Sequence, residues 1–218
     1  MTSGAEKRRE ETRGKILLAA RKLFSKKGYH NTQVMGICRE ARISAGTFYL
    51  YYPNKRDLFE QIAKESLEDV RKTLKRLRQP RASGDLKERL RRIRDTYTTY
   101  FDYVEKNPEQ LLMVLRGTFG VDEDMDGATW HSLSRFAYDI AEDFQNWQKL
   151  GVLGKCNPLL LGHMVNGMTL QVAHSYIVEK KFSREEALDT LVEVSTALLR
   201  HYLTEKGKRQ LGQWQGNC

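Results

Sequence analysis

A chain of 218 residues that is 40% hydrophobic and 30% charged, with only 4 prolines, has the composition of a folded, largely helical protein rather than a disordered one. Its three cysteines (Cys38, Cys156 and Cys218) show neither metal-ligand nor disulfide spacing, which fits a reducing cytoplasm, and no stretch approaches the roughly 18 uninterrupted apolar residues of a membrane span. The net charge of +9 is unevenly placed: residues 1–60 hold 13 Lys and Arg against 6 Asp and Glu, residues 71–94 hold 11 against 2, and residues 95–218 hold 12 against 17. A basic head on an acidic body suits a protein that meets a polyanion at one end.

In chain order, a mixed-charge lead from Glu6 to Arg13, with no apolar export signal after it, places Lys7, Arg8, Arg9 and Arg13 where they can lie along a phosphate backbone. A first helix follows to Lys27, with Ile16, Ala20, Leu23 and Phe24 on its inward stripe and Gly28 at its end. Thr32 is placed to cap a second, short helix, ahead of Gln33 and of Val34, Ile37, Cys38 and Ala41 at i, i+3, i+4 and i+7. After a turn at Arg42-Ile43, Ser44 caps a third helix, and Ile43 can pack on Phe48 as a hydrophobic staple. Phe48 and Tyr52 point inward. That leaves Ala45, Gly46, Thr47, Tyr49 and Tyr51 for the outward face and first turn, the arrangement of a helix-turn-helix reader. Pro53 stops this helix, Asn54 caps the next, and Lys55 in its first turn is placed to meet a phosphate.

The run Ala45, Gly46, Thr47, Phe48, Tyr49, Leu50, Tyr51, Tyr52, Lys55 and Leu58 resembles the DNA-binding segment of the TetR family of bacterial repressors. Two positions depart from that family's pattern: Arg42 stands where a turn Gly is usual, and Ala45 where Lys is common. The resemblance implies DNA contacts from Thr32, Gln33, Arg42, Ser44, Ala45, Gly46, Thr47, Tyr49, Tyr51 and Lys55. It also implies a homodimer on a palindromic double-stranded operator, released by a small effector.

Beyond the head, a helix from Asn54 to about Arg78 is long enough to link head and body, and a loop at Gln79 to Gly84 follows it. A helix from Asp85 to Lys106 turns Leu86, Leu90, Ile93, Tyr97, Phe101 and Val104 inward. Its Lys87, Arg91, Arg92 and Arg94 form either a solvated face or the mouth of an anion-binding pocket. Asn107-Pro108 opens another helix, which ends by Gly117 to Gly120. Asp122 to Gly127 imitates half of a calcium loop, but Leu133 occupies the position that needs a bidentate Glu, so an exposed acidic loop is expected there. The next helix carries Trp130, Leu133, Ala137, Ile140, Phe144 and Trp147 and stops at Gly151. Asn157-Pro158 opens one more, and the capping box Ser183 to Glu186 opens the last long helix. The expected fold is all-α with about nine helices: a helix-turn-helix domain over 1–58, a helical effector-binding and dimerisation domain over 59–204, and a frayed tail over 205–218.

The aromatic and methionine content of the body favours an adaptable apolar pocket at Tyr97, Tyr100, Phe101, Phe119, Trp130, Met168 and His174. Its expected ligand is a small, largely apolar effector, either acyl-CoA-like or aromatic. The broadly apolar last two long helices point to a dimer interface through Leu188, Leu191, Val192, Leu199 and Tyr202. No motif for a metal, a cofactor or catalysis appears. The competing expectation is a helical small-molecule-binding or enzymatic protein whose basic head only resembles a reader.

Overall fold

The computed structural model describes residues 4–78, 86–109, 111–112 and 123–211. The helices are α1 (Gly4–Lys27), α2 (Val34–Ala41), α3 (Ala45–Tyr51), α4 (Lys55–Arg78), α5 (Leu86–Lys106), α6 (Glu123–Lys149), α7 (Pro158–Ile177), α8 (Arg184–His201) and α9 (Glu205–Leu211). Among the described residues there is no strand, only an isolated antiparallel bridge between Leu153 and Leu203, and no helix is long and apolar enough to cross a membrane. The chain divides into two compact units, Met1–Glu68 with Asn107–His131 and Asp69–Lys106 with Ser132–Cys218, so α4 belongs to both.

In the first unit, α1 to α3 and the start of α4 close around Ile16, Phe24, Ile37, Phe48, Leu58, Phe59 and Ile62, all fully buried. The edge-to-face contact of Phe24 and Phe59, with ring centroids 4.9 Å apart, joins α1 to α4. Glu65 on α4 adds a polar clamp, accepting from Arg13 at 3.1 Å and pairing with Arg21 at 3.6 Å, both on α1. α3 and α4 open with the expected caps. The Ser44 hydroxyl accepts from the Thr47 N–H at 3.0 Å, and the Asn54 side chain accepts from the Asp57 N–H at 2.9 Å.

In the second unit, α5 packs against α8 and α7 packs on both. One cluster gathers Leu90, Phe144, Trp147, Val152, Leu153, Leu161 and Leu199, and another gathers Tyr97, Phe101, Ala187, Leu188 and Leu191. The capping box of α8 forms in full: the Ser183 N–H donates to Glu186 at 2.8 Å and the Glu186 N–H donates to Ser183 Oγ at 3.1 Å.

Four expectations are corrected. The mixed-charge lead is not a separate segment but the opening turns of α1, which begins at Gly4. Thr32 does not cap α2; Gln33 holds that position, with no side-chain cap bond. The acidic stretch expected as a loop enters α6 at Glu123. The tail is helical from Glu205 to Leu211, because Gly207 lets α9 settle on the turn after α6. A Cβ there would lie 2.4 Å from the Val152 carbonyl oxygen, while Thr204 and Lys206 donate to the Gly151 and Leu150 carbonyls at 2.7 Å each. The loop expected at 79–84 lies outside the described residues.

Candidate nucleic-acid interface

α3 presents a narrow solvent face. Phe48 and the following Tyr52 are buried, Ala45, Thr47 and Tyr51 are half-buried, and Gly46, Tyr49 and Leu50 are exposed. Tyr49 is 56% exposed and Leu50 79%. A helix advances about 100° per residue, so Gly46, Tyr49 and Leu50, at i, i+3 and i+4, form a stripe opposite Phe48. Ser44, Gln33, Met35, Arg39 and Arg42 are exposed on the neighbouring turn and on α2. The site thus combines an uncharged ridge on α3 with cations beside it. Of the expected outward residues the ridge holds Gly46 and Tyr49, with Leu50 added, while Thr47 and Tyr51 lie at its sides.

Arg42, in the family's glycine position, ends α2 in the left-handed region with φ 56° and ψ 48°. Its N–H donates to the Arg39 carbonyl at 3.2 Å and the Ile43 N–H to the Cys38 carbonyl at 3.0 Å, which closes the helix end and turns the chain into α3. A side chain at positive φ costs about 1 kcal/mol. Arg42→Gly is therefore expected to raise head stability by roughly that amount, less the extra unfolded-chain entropy of glycine. Thermal denaturation of the full chain checks this, and a lowered melting temperature would contradict it.

Two residues expected to hold phosphates are occupied elsewhere. Thr32 is 1% exposed, and its hydroxyl donates to the Gly28 carbonyl at 2.8 Å, with the Leu23 carbonyl at 3.3 Å. It is a buried link between α1 and α2, not an outward contact. The Lys55 ammonium donates to the carbonyls of Tyr29 at 2.8 Å and Thr32 at 2.9 Å and lies 4.1 Å above the Tyr29 ring. Burial holds it below the ordinary lysine range. It closes the α1–α2 turn onto α4, a role that the motif position alone does not reveal.

In the body the structure brings together Tyr97, Tyr100, Phe101 and Met168 of the expected effector residues, with Val172, Tyr176, Leu188 and Leu191 beside them. Phe101 stacks on Tyr176 at 5.4 Å, and the Tyr97 hydroxyl shares a 2.6 Å hydrogen bond with Ser195. Burial pushes the Tyr100 phenol well above its usual range. His174 is half-buried on α7. Trp130 does not join this cluster: it is 59% exposed and belongs to the first unit, and Phe119 lies outside the described residues. Of the basic cluster, Arg94 pairs with Asp189 on α8 at 2.5 Å, which gives it a structural partner.

The stripe expected at the dimer interface is largely buried within the single chain. Leu188, Leu191 and Leu199 are 4%, 2% and 4% exposed within the single chain, and Val192 and Tyr202 are half-buried, so this stripe already has its partners in α5 and α7. On α7 and α8 the large apolar side chains left in solvent, among the described residues, are Leu159, Leu160, Met164 and Val194. Among the described residues no group of His, Cys, Asp or Glu is placed to hold a metal ion.

Residues 16–62 match the family model described as bacterial regulatory proteins, tetR family. Over that segment the chain is similar to the TetR family's DNA-binding head. It is similar to the HTH-type transcriptional regulator HbdR of Aromatoleum sp. (strain CIB), with 26% identity over 206 residues that cover 94% of this chain and 86% of that protein. A head-sized match, 38% identical over 52 residues, or 24% of this chain and 27% of the relative, links it to the fatty acid metabolism regulator protein of Bacillus subtilis. The crystal structure of a TetR-family regulator from Syntrophomonas wolfei shares the fold at a TM-score of 0.74 and 20% identity, covering 88% of this chain and 96% of that one. The matched segment contains α2 and α3, which form a helix-turn-helix, and the chain is a DNA-binding transcriptional regulator.

Proposed function

We propose that this regulator is a repressor that binds a palindromic operator as a homodimer and leaves it when a small, largely apolar effector enters the body. The observation that carries the reading is the division of labour on the surface: an uncharged ridge on α3 with Arg39 and Arg42 of α2 and its C-terminal turn beside it, and exposed apolar side chains on α7 and α8. Tyr49, Leu50 and Thr47 would face base edges, while Arg39, Arg42 and the backbone at Gly46 would meet phosphates.

The dimer assignment rests on Leu160 and Met164, 57% and 52% exposed and one turn apart on α7, and on Val194, exposed on α8, which packs against α7. Single exposed apolar side chains need no partner, but several on two packed helices suit an isologous interface with another copy. Fully burying each such side chain is worth about 1.5–3 kcal/mol. Met164→Glu is expected to give monomers at micromolar concentration and to remove operator binding. Sedimentation of the wild type as a monomer would contradict the assignment.

The effector reading rests on the Tyr97, Tyr100, Phe101, Met168 and Tyr176 cluster, whose side chains are aromatic and thioether groups. Such side chains suit contact with an acyl chain, and the B. subtilis relative is named for fatty acid metabolism. α4 would carry the signal, because it runs without interruption from Lys55 in the head to Val70 and Leu74, which are buried in the second unit. An effector shifts operator affinity only by binding one arrangement more tightly than the other, commonly with about 1–3 kcal/mol of coupling. The test is to select duplexes from a random pool with the full chain, measure salt-dependent affinity for the selected palindrome, and titrate with acyl-CoA thioesters. A ligand that releases the operator must bind the operator complex more weakly than the free protein. A chain that selects no palindrome would refute the reading.

A further inference from the structure

The residues of α3, Ala-Gly-Thr-Phe-Tyr-Leu-Tyr over 45–51, include no Arg, Lys, Asn, Gln, Asp or Glu on any face. The two-pronged hydrogen bonds that usually distinguish base pairs in the major groove need one of those side chains, so this helix has no forked donor or acceptor to offer. What it offers instead is Leu50, at 79% the most exposed large hydrophobic residue among the described residues, beside Tyr49. Gly46 completes the stripe, and a Cβ there would meet only the Ser44 hydroxyl, at 3.8 Å. The helix surface is therefore low at Gly46 and raised at Tyr49 and Leu50, so an approaching groove meets those two side chains first. Leu50 is absent from the head core and from the residues packed against it, which leaves it without a folding role. A surface that holds 13 Lys and Arg against 6 Asp and Glu over residues 1–60 favours a polyanionic occupant over a lipid or a second head. The apolar feature of a major groove is the 5-methyl group of thymine.

We propose that Leu50 is a specificity-determining residue that reads a thymine methyl group in each half-site. The inference rests on the operator reading above and names the chemistry of its recognition helix. Packing one methyl against an exposed leucine excludes apolar surface from water on both partners, a contact on the scale of one buried methylene, or about four-fold in affinity per half-site and about fifteen-fold over a palindrome.

The experiment uses the full chain and the palindromic duplex it selects from a random pool, with each symmetric thymine pair replaced in turn by deoxyuridine, which removes only the methyl group. The wild type is expected to lose about fifteen-fold at one thymine pair at least. Leu50→Ala is expected to bind the thymine duplex that much more weakly, to become indifferent to uracil at that pair, and to keep the wild-type melting temperature. Tyr49→Ala should retain the discrimination at the Leu50 pair, which separates the two side chains. If the wild type ignores every uracil substitution, or Leu50→Ala keeps the full thymine preference at every pair, the inference is overturned while operator binding stands. A wild type that selects no palindrome overturns both.

Discussion

Gly162→Ala is expected to destabilise the second unit by about 2 kcal/mol or more, against the usual benefit of alanine in a helix. Gly162 is buried near the start of α7, where that helix crosses α6. A Cβ at this position would lie 2.3 Å from the Ala137 carbonyl oxygen and 3.2 Å from the Ala141 N–H nitrogen. Both are backbone atoms, so no rotamer change can clear the overlap. The helices must separate by about 1 Å, and dispersion contacts fall off steeply over that distance. Leu133, Phe136 and Leu161, which are buried on these two helices, would lose packing with the separation. Helix propensity alone favours alanine over glycine by about 1 kcal/mol. Gly14 on α1 isolates that term, because it is exposed and an added Cβ would meet no atom within 4 Å, so Gly14→Ala should stabilise by up to that amount. Equilibrium denaturation of the two variants should therefore move in opposite directions. Equal stabilisation by both would mean that α6 and α7 do not approach so closely.

The head was legible from sequence because local signals agreed there. Ser44 and Asn54 cap as their positions imply, and the i, i+3, i+4 stripe of α2 is buried as its period requires. Tertiary demand overrode local reading at Thr32, whose hydroxyl bridges back to α1 rather than capping the helix ahead of it. The family pattern treats position 50 as unconstrained, yet helical geometry alone places it one step round from Tyr49 and away from Phe48, so its exposure was available in principle. The body was harder for a different reason. α8 has two apolar stripes, and periodicity cannot say which one meets a neighbour in the same chain. With α5 on one side and α7 on the other, Leu188, Leu191 and Leu199 are taken into the core and only Val194 is left outside. Trp130 shows the converse: its spacing from Leu133 suggests a shared inward face, but it lies at the end of the stripe and is exposed. The α9 helix was hidden because Gly207, which reads as a helix breaker, is what allows the close approach to Val152.

Asp139→Leu is expected to cost about 3 kcal/mol, and Arg71→Met combined with it to recover most of that loss. Asp139 lies on α6 with its side chain 6% exposed, and Arg71 on α4 is 16% exposed. The guanidinium donates through one nitrogen to Oδ1 at 2.8 Å, and its Nε lies 2.6 Å from Oδ2 as an ion-pair contact; the Lys75 ammonium stands 3.4 Å from Oδ1. A pair this far out of water gains little over an apolar replacement of similar size, yet losing one partner strands the other, which typically costs about 3–5 kcal/mol. The lower end applies because Arg71 keeps some contact with solvent. Arg71→Met alone should cost less than Asp139→Leu, since Lys75, half-exposed and mobile enough to follow, still faces the carboxylate. Arg71→Lys keeps the charge but not the planar guanidinium that reaches both carboxylate oxygens, so it should fall between Arg71→Met and the wild type. A double-mutant cycle in chemical denaturation measures the coupling directly, and a value under about 1 kcal/mol, the scale of surface pairs, would show that Asp139 is solvated after all. The pair ties the body end of α4 to α6. The double variant should therefore fold nearly as stably as the wild type while holding α4 less firmly, and a changed release of operator by effector in that variant would trace the signal to this tie.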